Sequence, residues 1–116
     1  MRYFKIEEFD SPDEPGSGEN MSKELLAMLE IVRKMYGPVI INSGYRSIDH
    51  NKKVGGKVTS SHLKGLAVDI ACNNSIDRFK LTGILRKVGF TRIGVGKTFI
   101  HADIDKTKTT HVMWVY

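Results

Sequence analysis

Ser60-Ser61-His62-Leu63-Lys64-Gly65-Leu66-Ala67-Val68-Asp69-Ile70-Ala71 is the stretch whose reading decides the fold. On one continuous helix, His62 and Asp69 would lie about two turns apart on the same face. Gly65 and the apolar, partly β-branched run after it argue against that helix. They predict a turn carrying His62, then a buried strand from Leu66 to Ala71 that carries Asp69. Gly65 lets the backbone fold tightly between the two, and the small Gly65 and Ala67 leave room for both side chains to converge. A carboxylate between Val68 and Ile70 must be paired, hydrogen-bonded or metal-bound, because burying it alone is costly. A second short stretch, Phe99-Ile100-His101-Ala102-Asp103, sets His101 between apolar neighbours on a predicted strand. Two imidazoles and one carboxylate can hold one zinc ion and leave a fourth position open, which distinguishes a catalytic zinc from a structural one. A salt bridge would explain Asp69 alone; all three residues together favour a metal.

Outward from this stretch, the chain alternates helical and extended signals. Phe4 to Phe9 reads as a short extended edge or a single turn, and Ser11-Pro12-Asp13-Glu14-Pro15-Gly16-Ser17-Gly18 as a loop. A helix starts near Met21 or Ser22, with Leu25, Leu26, Leu29, Ile31, Val32 and Met35 as its apolar stripe, and Gly37-Pro38 stops it. Val39 to Asn42 reads as a short buried strand, and Ser47 as the cap of a brief helix through Asn51. Asn73-Asn74-Ser75 caps a second long helix, about Ile76 to Val88, with Phe79, Leu81, Ile84, Leu85 and Val88 inward and Gly89 at its end. Arg92 to Val95 and Thr98 to Ile104 read as strands. Thr110 to Tyr116 is expected to return beside the latter as a hairpin after a polar turn. The prediction is an α+β domain spanning residues 1–116, with helices on one face of a small, mainly antiparallel sheet.

The totals narrow the chemistry. With 116 residues, 41% of them hydrophobic, the chain builds one core. A single cysteine excludes an intramolecular disulfide and a cysteine-rich metal site, and Cys72 reads as a small buried hydrophobe. No phosphate-binding glycine loop and no Gly-x-Ser-x-Gly elbow is present. The net charge of +5 suits a polyanionic partner such as bacterial wall or nucleic acid, but the basic residues are scattered rather than run together. No stretch approaches the ~20 apolar residues of a membrane span. The N-terminus lacks the apolar segment of a secretory signal, so synthesis in the cytoplasm is expected.

Ser60-x-His62-x-x-Gly65-x-Ala67-x-Asp69 resembles the signature of the M15, LAS-type zinc peptidases: the D-alanyl-D-alanine carboxypeptidases and dipeptidases, and the phage L-alanyl-D-glutamate endolysins. Ser43-Gly44-Tyr45-Arg46-Ser47 resembles the arginine-bearing loop that precedes that signature, and Asn51 and Gly55-Gly56 resemble its small phage-type branch. Phe99-Ile100-His101-x-Asp103 resembles its last metal-ligand strand. The resemblance implies a hedgehog and DD-peptidase-like fold, with Zn²⁺ bound by His62, Asp69 and His101. It implies that Arg46 holds a substrate carbonyl or carboxylate and stabilises the oxyanion, and that Ser60 hydrogen-bonds substrate. Physically, zinc polarises a peptide carbonyl and a guanidinium stabilises charge that grows in the transition state. Many members place Glu or Asp three residues before the last histidine as general base. Thr98 occupies that position and cannot take a proton. Asp103, two residues from His101 on the same strand face, either substitutes as the base or orients an imidazole. His50 and His111 read as surface histidines. Tyr45 and Trp114 are candidates for a groove wall.

These readings converge on a zinc peptidase that cuts an amide bond in peptidoglycan stem peptides, of D,D-carboxypeptidase or L,D-endopeptidase type. The resemblance further implies a phage or prophage protein that reaches the wall from the host periplasm or on a virion. A stem peptide is the expected partner, with no specific nucleic acid and a monomeric state. The alternative is a zinc-binding wall-recognition module that has lost catalysis, which Thr98 keeps open. A small nucleic-acid-binding protein, suggested only by charge, ranks below both.

Overall fold

Side-chain caps set where the helices begin. The computed structural model describes residues 1–116. After 3₁₀ turns at Ile6–Phe9 and Ser17–Asn20, Ser22 accepts a hydrogen bond from the Leu25 N–H and opens helix α1, Lys23–Tyr36. Gly37, at φ 110°, ends it. Strand β1 is Ile41–Ser43, and Ser47 caps the short α2, Ile48–Lys53. Ser60 caps a third 3₁₀ turn, Ser61–Lys64, which Gly65 closes in the left-handed region before β2, Ala67–Ala71. Asn74 caps α3, Ser75–Val88, and Gly89 ends it. Strands β3 (Arg92–Val95), β4 (Phe99–Asp103) and β5 (Val112–Val115) complete the chain.

The five strands form one sheet in the order β1-β2-β4-β3-β5, antiparallel except for the β3–β5 pair. This is the predicted α+β class. Alternation along each strand divides the sheet into two chemically different faces. Val68, Ile70, Ile93, Ile100 and Ala102 join Leu25, Leu29 and Val32 of α1 and Leu81 and Leu85 of α3 in one core. The opposite face carries Asp69, His101, Asp103 and Arg92. The buried Cys72 belongs to the core, as a small hydrophobe there should. No helix is long and apolar enough to cross a membrane.

Several expectations need correction. Ile31 and Met35 are exposed, because 3.6 residues per turn carries them off the stripe of Leu25, Leu29 and Val32. Phe79, 86% exposed, sits two residues from the buried Leu81, roughly 200° around α3. β1 is an edge strand with little buried surface, and Ile40 points to solvent. The expected hairpin between β4 and β5 does not form. β4 is already paired on both edges, by β2 and β3, so the last strand has no free edge of β4 to join. The connection instead passes the start of β3, where the Thr91 carbonyl accepts from His111 and Val112, and β5 runs parallel to β3.

Candidate metal centre and its cleft

The register of the sheet builds the site. Ser43, Asp69, His101, Gly94 and Trp114 are successive cross-strand partners over all five strands, on the face away from the helices. His62 joins them from its 3₁₀ turn. Gly65, at φ 68°, turns the chain back beneath it, and the Gly65 carbonyl accepts from the Ser22 N–H at the start of α1. A Cβ at position 65 would collide with the Asn20 carbonyl, so glycine is required by packing as well as by backbone angle.

Asp69 Oδ1 lies 3.3 Å from His62 Nε2 and 3.0 Å from His101 Nδ1. The three ligand atoms lie within 4.8 Å of one another. Each imidazole is committed through its other nitrogen. His62 Nδ1 is 2.8 Å from the Gly44 carbonyl, which can only accept, so Nδ1 carries a proton and Nε2, facing Asp69, is the nitrogen left for a metal. His101 Nε2 is 2.7 Å from Asp103 Oδ2 and donates to it. With a metal present, Nδ1 is then the free nitrogen. Outer partners that fix the ring tautomer in this way are typical of metal-bound histidines.

Electrostatics agree with this arrangement. Burial raises the pKa of the Asp69 carboxyl, but hydrogen bonds from His101 and His62 outweigh it and hold the group well below the usual carboxylate range. Burial pulls His101 down, while Asp103 and Asp69 on either side of the ring push it further up, above the ordinary histidine value. Without a metal, an imidazolium bridges the two carboxylates. With one, the Nδ1 proton must leave. The donor set of two nitrogens and one carboxylate oxygen suits zinc, and ligands ~2.1 Å from a tetrahedral ion sit roughly 3.4 Å apart, close to the separations from Asp69.

Arg46 stands beside the trio. Its Nη2 is 3.4 Å from Asp69 Oδ2, its Nε 3.2 Å from Ser43 Oγ and its Nη1 3.3 Å from Asn51 Oδ1. All three contacts are long, which leaves the guanidinium able to turn to another acceptor. Ser60 accepts from the His62 N–H, and its own proton remains free to donate. Arg46 and Ser60 line a cleft of about 550 Å³ together with all three ligand residues. Tyr45 does not line it. Adjacent residues of an extended segment point in opposite directions, so with Arg46 facing the cleft Tyr45 packs against the core.

Asp103 is 1% exposed and both its oxygens are engaged. Oδ2 accepts from His101 and from the Arg92 Nε at 3.2 Å, and Oδ1, 2.9 Å from the same Nε, accepts from the Asp105 N–H at 3.1 Å. Thr98 lies exposed in the β3–β4 turn and does not border the cleft. His111 is exposed, and His50 is half-buried against a neighbouring recess.

Sequence reasoning passed over Arg92, whose guanidinium bridges Asp103 and the Trp114 ring, 5.0 Å from the ring centroid. Alternation could have found it, since Arg92 shares a face with Gly94 on β3. Trp114 lies 5.4 Å from His101, ring centre to ring centre, and is admitted by Gly94, where a Cβ would sit 2.7 Å from the indole. Phe99 and Tyr116 continue this wall. Asp105, read as a turn residue, is fully buried and ties the metal-site turn to the β4–β5 connection. It accepts from Ser61 at 2.7 Å, Lys64 at 3.1 Å and Thr107.

A search of curated proteins finds no match. The family model described as Peptidase M15 matches residues 3–105, which takes in Arg46, all three ligand residues and Asp103. M15 peptidases are zinc enzymes, and the His-Asp-His trio supplies a fitting donor set. A match over most of the chain, joined to this geometry, makes the protein a member of the peptidase M15 family of metallopeptidases.

Proposed function

We propose that this protein is a zinc-dependent peptidase that hydrolyses an amide bond of peptidoglycan stem peptides. The observation that carries this reading is the convergence of His62 Nε2, Asp69 Oδ1 and His101 Nδ1, each imidazole held from behind by a hydrogen bond at its other nitrogen. Zinc at that point would act as a Lewis acid on the peptide carbonyl and make water nucleophilic near neutral pH. The chain's own residues supply the rest. Arg46, with only long contacts of its own, turns a donor to the carbonyl oxygen as negative charge develops there. Ser60 donates its hydroxyl proton to the bound peptide. Asp103 holds the Nε2 proton of His101. Because both its oxygens are occupied, we assign it this orienting role in place of proton acceptor. The Trp114, Phe99 and Tyr116 wall packs against the apolar side of the peptide.

Bonds to either D-Ala-D-Ala or L-Ala-D-Glu suit this chemistry, with the protein acting on the bacterial wall as a monomer of phage or prophage origin. The basic surface suits that polyanionic target. Digestion of purified peptidoglycan by the zinc-loaded protein, with mass spectrometry of the products and a chelated control, tests the reading. Chelator-sensitive release of defined fragments supports it and names the bond.

One observation favours a second reading. No carboxylate without partners lines the cleft, since Asp69 and Asp103 are both tied and Thr98 is remote. A zinc-holding, catalytically silent wall-binding module is consistent with that. It would bind peptidoglycan, retain zinc and release no fragment.

A further inference from the structure

The cleft holds more positive charge than its carboxylates neutralise. Arg46, Arg92, Lys57 and Lys108 line it, against Asp69 and Asp103. Each arginine is already set against one of those carboxylates. Of the two lysines, Lys57 is exposed, whereas Lys108 is half-buried on the β4–β5 connection. The acid nearest Lys108 is Asp105, at 4.0 Å, and Asp105 is already held more closely by Lys64 at 3.1 Å. The Lys108 ammonium instead donates to Ser61 Oγ at 3.0 Å, while the Ser61 proton goes to Asp105. A neutral hydroxyl therefore fixes this cation beside His62, and an ammonium has three donors, of which this contact uses one. Burial also draws the Lys108 pKa below its ordinary value, against the opposing pull of Asp105 and Asp103.

We propose that Lys108 binds a carboxylate of the substrate, next to the turn that carries His62. The residue lies outside the segment matched by the family model, 3–105. The inference deepens the peptidase reading and rests on it for the class of ligand, a peptide acid. A terminal α-carboxylate and an acidic side chain offer the same chemistry, and an incoming carboxylate would restore the charge-assisted partner that Asp105 does not fully provide.

Three small probes separate these sources on the zinc-loaded full chain, titrated by NMR. They are N-acetyl-D-alanine, with a terminal carboxylate; N-acetyl-D-glutamic acid α-amide, with a side-chain carboxylate; and N-acetyl-D-alaninamide, with neither. The wild type is expected to bind one of the two acids about tenfold more tightly than the amide, the scale of one charge-assisted hydrogen bond. Lys108→Gln should erase that preference with zinc content unchanged, Lys108→Arg should retain it, and Lys57→Gln should leave it intact. No preference in the wild type, including no binding at all, overturns the proposal, as does a preference that survives Lys108→Gln. The peptidoglycan digest reports separately on the reading beneath it. A carboxylate preference lost in Lys108→Gln, without fragment release, would retain this site and remove the peptidase. Fragment release without the preference would do the reverse.

Discussion

Asp69 and His101 face each other directly across β2 and β4, with His101 Nδ1 3.0 Å from Asp69 Oδ1. Two of the three candidate ligands are thus fixed by strand register rather than by loop conformation, and a one-residue slip of either strand would send its own residue to the core face. His62 alone depends on a turn. Replacing His62, Asp69 or His101 by Ala is expected to abolish stoichiometric zinc binding, measured by metal analysis after dialysis. A His62→Ala protein that kept one zinc per chain would show that the ligand set is wrong.

The outer partners should matter nearly as much. Asp103 fixes the proton of His101 on Nε2, and Arg92 holds Asp103 from the other side. Asp103→Ala is expected to weaken zinc binding or activity by about 10–100-fold, the usual effect of losing such a partner. Arg92→Gln should show a smaller loss of the same kind. Asp103→Asn keeps an acceptor for His101 and removes the charge, so it separates the two possible roles. As an orienting residue it should retain most zinc affinity and part of the activity. A complete loss of turnover with zinc affinity unchanged would return Asp103 to the role of base.

The His62, Asp69 and His101 trio was legible in the sequence because its signals are local. Gly65 beside His62, and apolar residues on either side of Asp69 and of His101, name a turn and two buried strands without reference to the rest of the chain. The caps at Ser47 and Asn74 were legible for the same reason. What failed was non-local. The partner of β5 depends on which edges are already occupied, and no residue within Val112–Val115 records that β4 is full. Arg92 and Lys108 were overlooked because their meaning comes from neighbours on other strands and loops: Asp103 and Trp114 for one, Ser61 for the other. Ile31, Met35 and Phe79 failed differently. Apolar character was weighed more heavily than angular position on a helix.

Gly65 gives a test of the turn. Its φ of 68° and the overlap of any Cβ with Asn20 make Gly65→Ala doubly unfavourable. The backbone conformation alone costs at least about 1 kcal/mol, and the overlap must push the turn away from the start of α1. The expected outcome is a lower unfolding midpoint together with weakened zinc binding, because His62 moves with the turn. A destabilised Gly65→Ala protein with unaltered zinc affinity would show that the position of His62 does not depend on this packing.

The pH dependence of the metal-free protein follows from His101. Its folded pKa lies above the ordinary value of 6.5, so its charged form stabilises the fold. That contribution is fully present below pH 6.5 and is lost as pH rises through the folded value. Urea unfolding at pH 6 and at pH 8.5 should therefore show a stability gap between wild type and His101→Gln that narrows at the higher pH. Zinc binding should strengthen over the same interval, since the metal must displace the Nδ1 proton.

Asp105 should govern the acid limb, with the opposite sign. Burial acts to raise its pKa, but hydrogen bonds from Thr107 and Ser61, with Lys64 beside them, hold it well below the usual carboxylate range. Its contribution is present above the unfolded value near 3.8 and disappears as pH falls through the folded one. Asp105→Asn removes the charge at every pH and turns one acceptor oxygen into a donor facing Ser61, Thr107 or Lys64. A loss of about 2 kcal/mol is expected at pH 7, the scale of hydrogen bonds to a charged group. The gap between variant and wild type should narrow as pH drops below about 4, because the unfolded wild-type carboxyl then binds a proton that the folded one does not. Because Ser61 precedes His62, the same variant should lower zinc affinity at neutral pH. A constant gap from pH 7 to pH 2 would mean that packing, rather than the carboxylate charge, is what Asp105 contributes.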